Sequence, residues 1–242
     1  MIPKNHPRYQ SLLQRHKIEE GLKRGIVTPT GMIAQGRGEA FDYLLGEKTT
    51  KEAREQIEAA AAKLTIAKHP VLSVNGNTIA LCAKEIVSLS KTISAPIEIN
   101  LFYRTKKRIA LIEKEFKKFG IKALGVKPAK KIPGLKSNRG KADEKGIWTA
   151  DVVLVMLEDG DRTEMLRKMG KYVIAIDLNP MSRTAKKANL TIVDNVIRAI
   201  PLLEKNAQRF KNKGKKWLER RVKKMNNSKM LQITIKRMRK RI

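Results

Sequence analysis

The chain has 242 residues, 41% of them hydrophobic, and a formal net charge of +30, long enough to bury one substantial α/β core. No apolar run approaches the roughly 18 to 20 residues that cross a bilayer, and the opening Met1-Ile2-Pro3-Lys4-Asn5-His6-Pro7 carries neither a secretory nor a transit pattern, so a soluble, cytoplasmic protein without membrane contact is expected. The single Cys82 excludes an intrachain disulfide and a multi-cysteine centre, and His6, His16 and His69 lack ligand spacing, so no protein-held metal site is predicted.

In chain order, 8–24 reads as an amphipathic helix, with Leu12, Leu13, Ile18 and Leu22 at helical spacing and Gly25 as its stop. A second helix is predicted to open after Gly36-Arg37-Gly38 and to end at Gly46. A third is predicted from the Thr49/Thr50 cap through the alanines at 59–62. From Pro70 the pattern changes to short β-branched runs at 71–74, 97–100, 121–126, 152–156, 172–176 and 190–193. Helical stretches at 78–89, 106–119, 163–169, 182–187 and from 196 alternate with them. That alternation predicts a Rossmann-like α/β fold, a doubly wound and mainly parallel sheet. The 127–149 stretch, rich in Lys, Pro and Gly, is too long for an ordinary connection and is expected to be a functional loop that closes as a lid.

Beyond Pro201 the chain turns strongly cationic, with a helix predicted over 202–225 and a weak apolar run at 231–235. Residues 201–242 hold sixteen Lys/Arg against Glu204 and Glu219, a net +14. Such a run is most often a solvated face, although it also attracts polyanions. The organisation expected is an N-terminal helical segment at 1–68 packed on the core, a Rossmann-like nucleotide- and substrate-binding core at 69–200, and a basic C-terminal helical extension at 201–242.

In an open α/β sheet, ligands bind outside the carboxyl ends of the strands. The first strand ends in Asn75-Gly76-Asn77, which reads either as an anion-holding helix start or as an ordinary Asn-Gly turn. Arg37 between two glycines, at what reads as a helix start, would aim a guanidinium and backbone amides at one phosphate or carboxylate. Asp177-Leu178-Asn179-Pro180 offers an acid for ribose hydroxyls, and Arg183 and Thr184 at the next helix start can reach phosphate oxygens. Asp194-Asn195-Val196 can face the same crevice or simply cap a helix. The acidic run from Glu158 to Glu164 reads as magnesium or ammonium binding, or as capping. There is no dinucleotide glycine fingerprint, no Walker loop and no Ser/His/Asp or Cys/His set, which weakens a nicotinamide-dependent oxidoreductase and leaves ATP to supply the chemistry. RNA binding on an α/β scaffold, motivated by the charge, is the competing class.

These blocks, together with His6-Pro7-Arg8-Tyr9, Glu98-Ile99-Asn100-Leu101-Phe102-Tyr103-Arg104-Thr105, Ile132-Pro133-Gly134-Leu135 and Arg139-Gly140-Lys141, resemble the archaeal 4-phosphopantoate–β-alanine ligase (phosphopantothenate synthetase) family from about residue 6 to about 198. The resemblance implies a Rossmann-like homodimer that uses ATP with Mg2+ to join 4-phosphopantoate to β-alanine through an acyl-adenylate, with no need for nucleic acid. It implies ATP contacts at Arg15, Arg37, Asp177, Leu178, Asn179, Arg183, Thr184, Asn195 and Val196, with Arg37 and Arg183 stabilising charge in catalysis. The substrate phosphate is assigned to Asn75, Gly76, Asn77, Arg104, Arg139 and Lys141. Gln35 stands where that family's pattern has His, and the basic tail is expected to fall outside the pattern.

Overall fold

The structure, a computed structural model, describes residues 3–240. Three helices come first: α1 (Tyr9–Lys23), α2 (Pro29–Leu45) and α3 (Lys51–Ile66). Thr28 is extended and its hydroxyl accepts the Gly31 amide at 3.2 Å, while Pro29 at the first helical position donates nothing and loses nothing. The predicted start after Gly36-Arg37-Gly38 is therefore corrected. The helix begins at Pro29, and Arg37 lies mid-helix with its backbone amides facing the preceding turn. Two glycines, each about 1 kcal/mol worse than alanine in a helix, are tolerated because α2 packs on α1 and α4.

The remaining elements are β1 (Pro70–Val74), α4 (Gly76–Thr92), β2 (Ile97–Ile99), α5 (Lys106–Lys117), β3 (Lys130–Lys131), β4 (Lys141–Ala142), β5 (Val152–Met156), α6 (Gly160–Lys168), β6 (Tyr172–Ile176), α7 (Arg183–Lys187), β7 (Leu190–Ile192), α8 (Val196–Phe210), α9 (Lys215–Lys223) and α10 (Asn227–Arg239). Five parallel strands form one sheet in the order β2-β1-β5-β6-β7, a Rossmann-like α/β arrangement. Alternate residues feed two cores. Leu72, Val74, Leu154, Met156, Ile174 and Ile176 pack beneath α3, α4 and α8. Val71, Val153, Val155, Val173 and Ala175 pack against α6 and the 132–147 stretch. Both faces are covered, so β5 and β6 are apolar throughout and β1 carries only Ser73 as a polar residue, with no alternation of polar and apolar positions.

The strand expected at 121–126 does not form. Leu124 makes one parallel bridge to Glu98, and Gly125, at φ +77°, then turns the chain away from the sheet edge. The 127–149 loop is a packed structure rather than a free flap. The antiparallel β3–β4 pair, a 3-10 turn at Asn138–Gly140 and a π turn at Glu144–Trp148 bury Ile132, Ala142 and Ile147. Glu98, fully buried on β2, anchors it by accepting the amides of Asp143 at 3.0 Å and Ile147 at 2.6 Å.

Burial pushes the Glu98 carboxyl up to about 7, although the two amides pull the other way. The folded state thus holds a proton that the unfolded chain releases near the ordinary carboxylate value. The stabilisation is complete below about pH 4.5 and is lost as pH rises through 7, on the order of 3 kcal/mol in all. Asp177 and Asp194, also raised by burial, act in the same sense. The expected result is a Tm that falls between pH 5 and pH 7.5. Thermal melts of Glu98→Ala should start lower but show a flatter slope.

The tail is corrected too. Pro201 lies within α8, whose buried face carries Ala199, Ile200, Leu203, Ala207 and Phe210. The helix predicted over 202–225 is two helices, α8 and α9, and the 231–235 run is part of α10. Leu218, Met230, Leu231 and Met238 are buried, the Asn227 carboxamide accepts the Thr191 amide at 2.8 Å, and Arg237 clasps Glu52 through two 2.9 Å bonds. One face of the tail is thus core, and only the other carries the exposed lysines. Among the described residues, no helix is long and apolar enough to cross a membrane.

Candidate active site

The strands β2, β1, β5 and β6 end in one crevice of about 630 Å³. Because β1 runs to β2 on one side and pairs β5 on the other, the crevice straddles the point where strand order reverses, the place where open α/β sheets take ligands. At a strand spacing of about 4.8 Å, β2 to β6 spans roughly 14 Å, room for two ligands side by side.

The roof is α2. Its spacing puts Thr30, Ala34, Arg37 and Phe41 on the face that lines the crevice. Arg37 is exposed there and has no ion-pair or hydrogen-bond partner among the described residues. Its charge lies close enough to Asp177 to oppose the rise that burial gives that carboxyl. The guanidinium is thus held over the crevice with its donors available.

On the β1–β2 side, Asn75 caps α4, its carboxamide oxygen accepting the amides of Asn77 at 3.1 Å and Thr78 at 3.2 Å. Its Nδ2 donates to the carbonyls of Met156 and Leu157, tying the ends of β1 and β5 together. Most of the turn's amides serve the cap, and Gly76 N–H is left without a partner among the described residues. Asn77 donates to the Gly31 carbonyl at 2.7 Å, joining the starts of α2 and α4. Arg108 of α5 reaches the same spot, its Nε donating to Ile26 O at 2.8 Å and its Nη1 to Tyr103 O at 2.9 Å. Burial, and then the charge of Arg139, depress its pKa, and an anion there would favour its charged form.

A Cβ on Gly76 would overlap the Ile26 carbonyl and the Arg108 guanidinium. Gly76→Ala is therefore expected to destabilise the fold by about 1–3 kcal/mol and to displace Arg108. Differential scanning calorimetry checks the first effect and affinity for inorganic phosphate the second.

On the β6 side, the Asp177 carboxylate accepts the Ser182 hydroxyl at 2.5 Å and the Asn179 amide at 2.9 Å, closing the turn into α7. Thr184 donates to Glu158 O at 2.7 Å. Arg183 lines the crevice with its stem, but its head pairs with Asp161 and with Glu164 at 2.8 Å, holding the Glu164 carboxyl down to about 2. Between the two sides, Leu157 adopts a left-handed φ of 50°, a strained conformation of the kind that clusters at ligand sites.

Of the predicted residues, Arg37, Asn75, Gly76, Asn77, Arg139, Asp177, Leu178, Asn179, Arg183 and Thr184 share the crevice. The others do not. Arg104 donates to the carbonyls of Gly125 and Val126, and Lys141 is exposed on β4. Arg15 grips Glu39 through Nε at 2.8 Å and Nη2 at 2.6 Å in a separate recess between α1 and α2. Asn195, buried, donates to Gln14 at 2.7 Å and Asp42 at 2.9 Å, and Val196 is in the core. Arg139, though in the crevice, is consumed: it pairs with Glu158 at 2.5 Å and Asp159 at 2.9 Å and bonds Asn100. Arg108, Phe102, Tyr103, Thr30 and Phe41 were missed. The Thr28-Pro29 cap signal would have exposed the last two by starting α2 where it starts.

Fold and crevice together define a Rossmann-like α/β protein whose strand-end site is lined by guanidinium groups and suits anionic ligands. The family described as phosphopantothenate/pantothenate synthetase matches residues 52–241. A 4-phosphopantoate–β-alanine ligase of Thermococcus kodakarensis is 51% identical over the whole chain and 93% of its own length. Ligases of the same name are 48% identical in Methanosarcina mazei, over 95% of this chain and 91% of theirs, and 52% in Methanospirillum hungatei, over 83% and 82%. The chain belongs to the phosphopantothenate/pantothenate synthetase family. The match reaches residue 241, so the expectation that the basic tail falls outside the family's pattern is overturned.

Proposed function

We propose that this chain is a 4-phosphopantoate–β-alanine ligase of coenzyme A biosynthesis, forming 4′-phosphopantothenate at the expense of ATP. The observation that carries the reading is Arg37, without a partner among the described residues, over a strand-end crevice, in a chain about half identical to proteins of that name along its full length. The acid's phosphate lies on the β1–β2 side, against Gly76 N–H and Arg108, with Arg108 taking the place first given to Arg104 and Lys141. The nucleotide lies on the β6 side, along Asp177, Asn179 and Thr184, and Arg183 reaches it by exchanging a carboxylate for a phosphate.

In the first step an oxygen of the acid's carboxylate attacks the α-phosphorus, the bond to the β-phosphate oxygen breaks, and pyrophosphate leaves. In the second, the β-alanine amine attacks the acyl carbon, loses a proton, and AMP departs. Charge grows on phosphate oxygens in the first step, where Arg37 is placed to meet it, and holding both ligands on a fixed floor supplies further acceleration. The acids nearby do not make a magnesium cage. Glu158 and Asp159 are taken by Arg139, and Asp161 and Glu164 by Arg183. Magnesium would accordingly enter with the nucleotide phosphates, whose charge it would neutralise. The working unit is a homodimer, a reading supported by the exposed apolar side chains of Ile33 and Tyr43 on α2, and sedimentation velocity checks it.

The test incubates the protein with ATP, 4-phosphopantoate and β-alanine and separates nucleotides by chromatography. AMP and 4′-phosphopantothenate in equal amounts are expected. ADP in place of AMP would overturn the adenylate, and no product from the three substrates would overturn the function.

A further inference from the structure

Five large apolar side chains are exposed among the described residues, and two of them, Phe102 and Tyr103, are neighbours at 53% and 51% exposure in the crevice wall. They leave the sheet just after β2. Leu101, 1% exposed, anchors the bend in the core, and the two rings meet edge to face with centroids 5.0 Å apart. Tyr103 is further fixed because its carbonyl accepts Arg108 Nη1 at 2.9 Å. An apolar, pre-formed wall beside a guanidinium is the arrangement of a pocket that binds an anion attached to a hydrocarbon.

Resting on the function proposed above, the chemistry of the acid says what that hydrocarbon is. In 4-phosphopantoate the carbon next to the phosphate-bearing methylene, three bonds from phosphorus, is quaternary and carries two methyl groups. A phosphate on Arg108 and Gly76 N–H therefore brings both methyls within reach of whatever is tied to Arg108. We infer that Phe102 and Tyr103 are the specificity-determining residues for this branched carbon, covering its methyls and thereby rejecting unbranched 2-hydroxy acid phosphates. Polar selection alone would not do so, since an unbranched acid offers the same phosphate, hydroxyl and carboxylate. A methyl-sized difference in an apolar pocket is worth about tenfold or more in kcat/KM.

The experiment compares 4-phosphopantoate with 2-hydroxy-4-phosphooxybutanoate, which lacks both methyls, by AMP release in the wild type, Phe102→Ala, Tyr103→Ala and Phe102→Leu. The wild type is expected to prefer the branched acid by about tenfold or more. Each alanine variant should bring that ratio below about threefold, chiefly by raising KM for the branched acid, with the KM for ATP and for β-alanine unchanged. Phe102→Leu, which keeps an apolar wall, should retain most of the preference. Both rings are half exposed, so Tm should stay within about 2 °C. The inference is overturned by a wild type that does not discriminate, by variants that keep the ratio or lose both acids equally, or by a shift in KM for ATP instead. Wild-type turnover with an unmoved ratio sinks the specificity role alone, whereas absence of turnover on either acid takes the ligase reading with it.

Discussion

Replacing Arg37 with alanine is expected to lower kcat/KM for AMP release by about a hundred- to a thousandfold while leaving Tm essentially where it was. The two halves of that result come from the same fact. Arg37 is exposed on the crevice face of α2 and has no protein partner among the described residues, so its loss breaks no fold contact and alanine is the better helix former. A donor aimed at developing charge is worth about 2.7–4 kcal/mol in the transition state when site and donor are pre-positioned. Arg37→Lys should recover only part of the rate, because a point charge cannot offer the planar fork. Steady-state kinetics beside a melting curve decide it: a drop in Tm matching the drop in rate would mean that Arg37 holds α2 rather than ligand.

Glu158→Ala should do the reverse, acting first on the fold. The Glu158 side chain is 2% exposed and lies between those of Arg139, at 8%, and Arg162, at 0%. Arg162 also bonds Ser73 and the Arg139 carbonyl, yet its Nη2 has no partner among the described residues. Removing the carboxylate strands two buried guanidiniums, a change that costs about 3–5 kcal/mol, or roughly 6–20 °C in Tm for a chain of this size. The neighbouring Asp159 offers the control. Its side chain is 41% exposed and caps α6 by accepting the Arg162 amide, so Asp159→Ala should cost only about 1 kcal/mol. Equal losses for the two variants, by chemical denaturation, would show that the buried triad is no more than a surface pair.

The same arginines show what a sequence discloses and what it hides. The strands at 71–74, 152–156 and 172–176 were readable because both faces of a covered parallel sheet demand continuous β-branched residues, and the ordered blocks were enough to find the family. Arg139 reads in the sequence as a free cation because its partners Glu158 and Asp159 stand about twenty residues away, a pairing that no local pattern records. Arg108 went unseen for the opposite reason: inside Lys106-Lys107-Arg108 it looks like one more surface cation, and only the fold turns it towards Ile26 and Tyr103. At α2 a local rule misled. Two glycines read as a boundary, whereas the cap at Thr28 and packing outweighed their intrinsic preference.

The strand order has a kinetic consequence. The β1–β5 pairing joins residues about eighty apart in the chain, the kind of non-local closure that slows folding. The β6 side of the crevice, by contrast, is drawn from one contiguous stretch between β5 and α7, whereas the β1–β2 side is gathered from α2, the start of α4 and the approach to α5. The β5–β6–β7 unit is therefore the part that can assemble early by short-range contacts, and the crevice comes into being only when β1 docks on it.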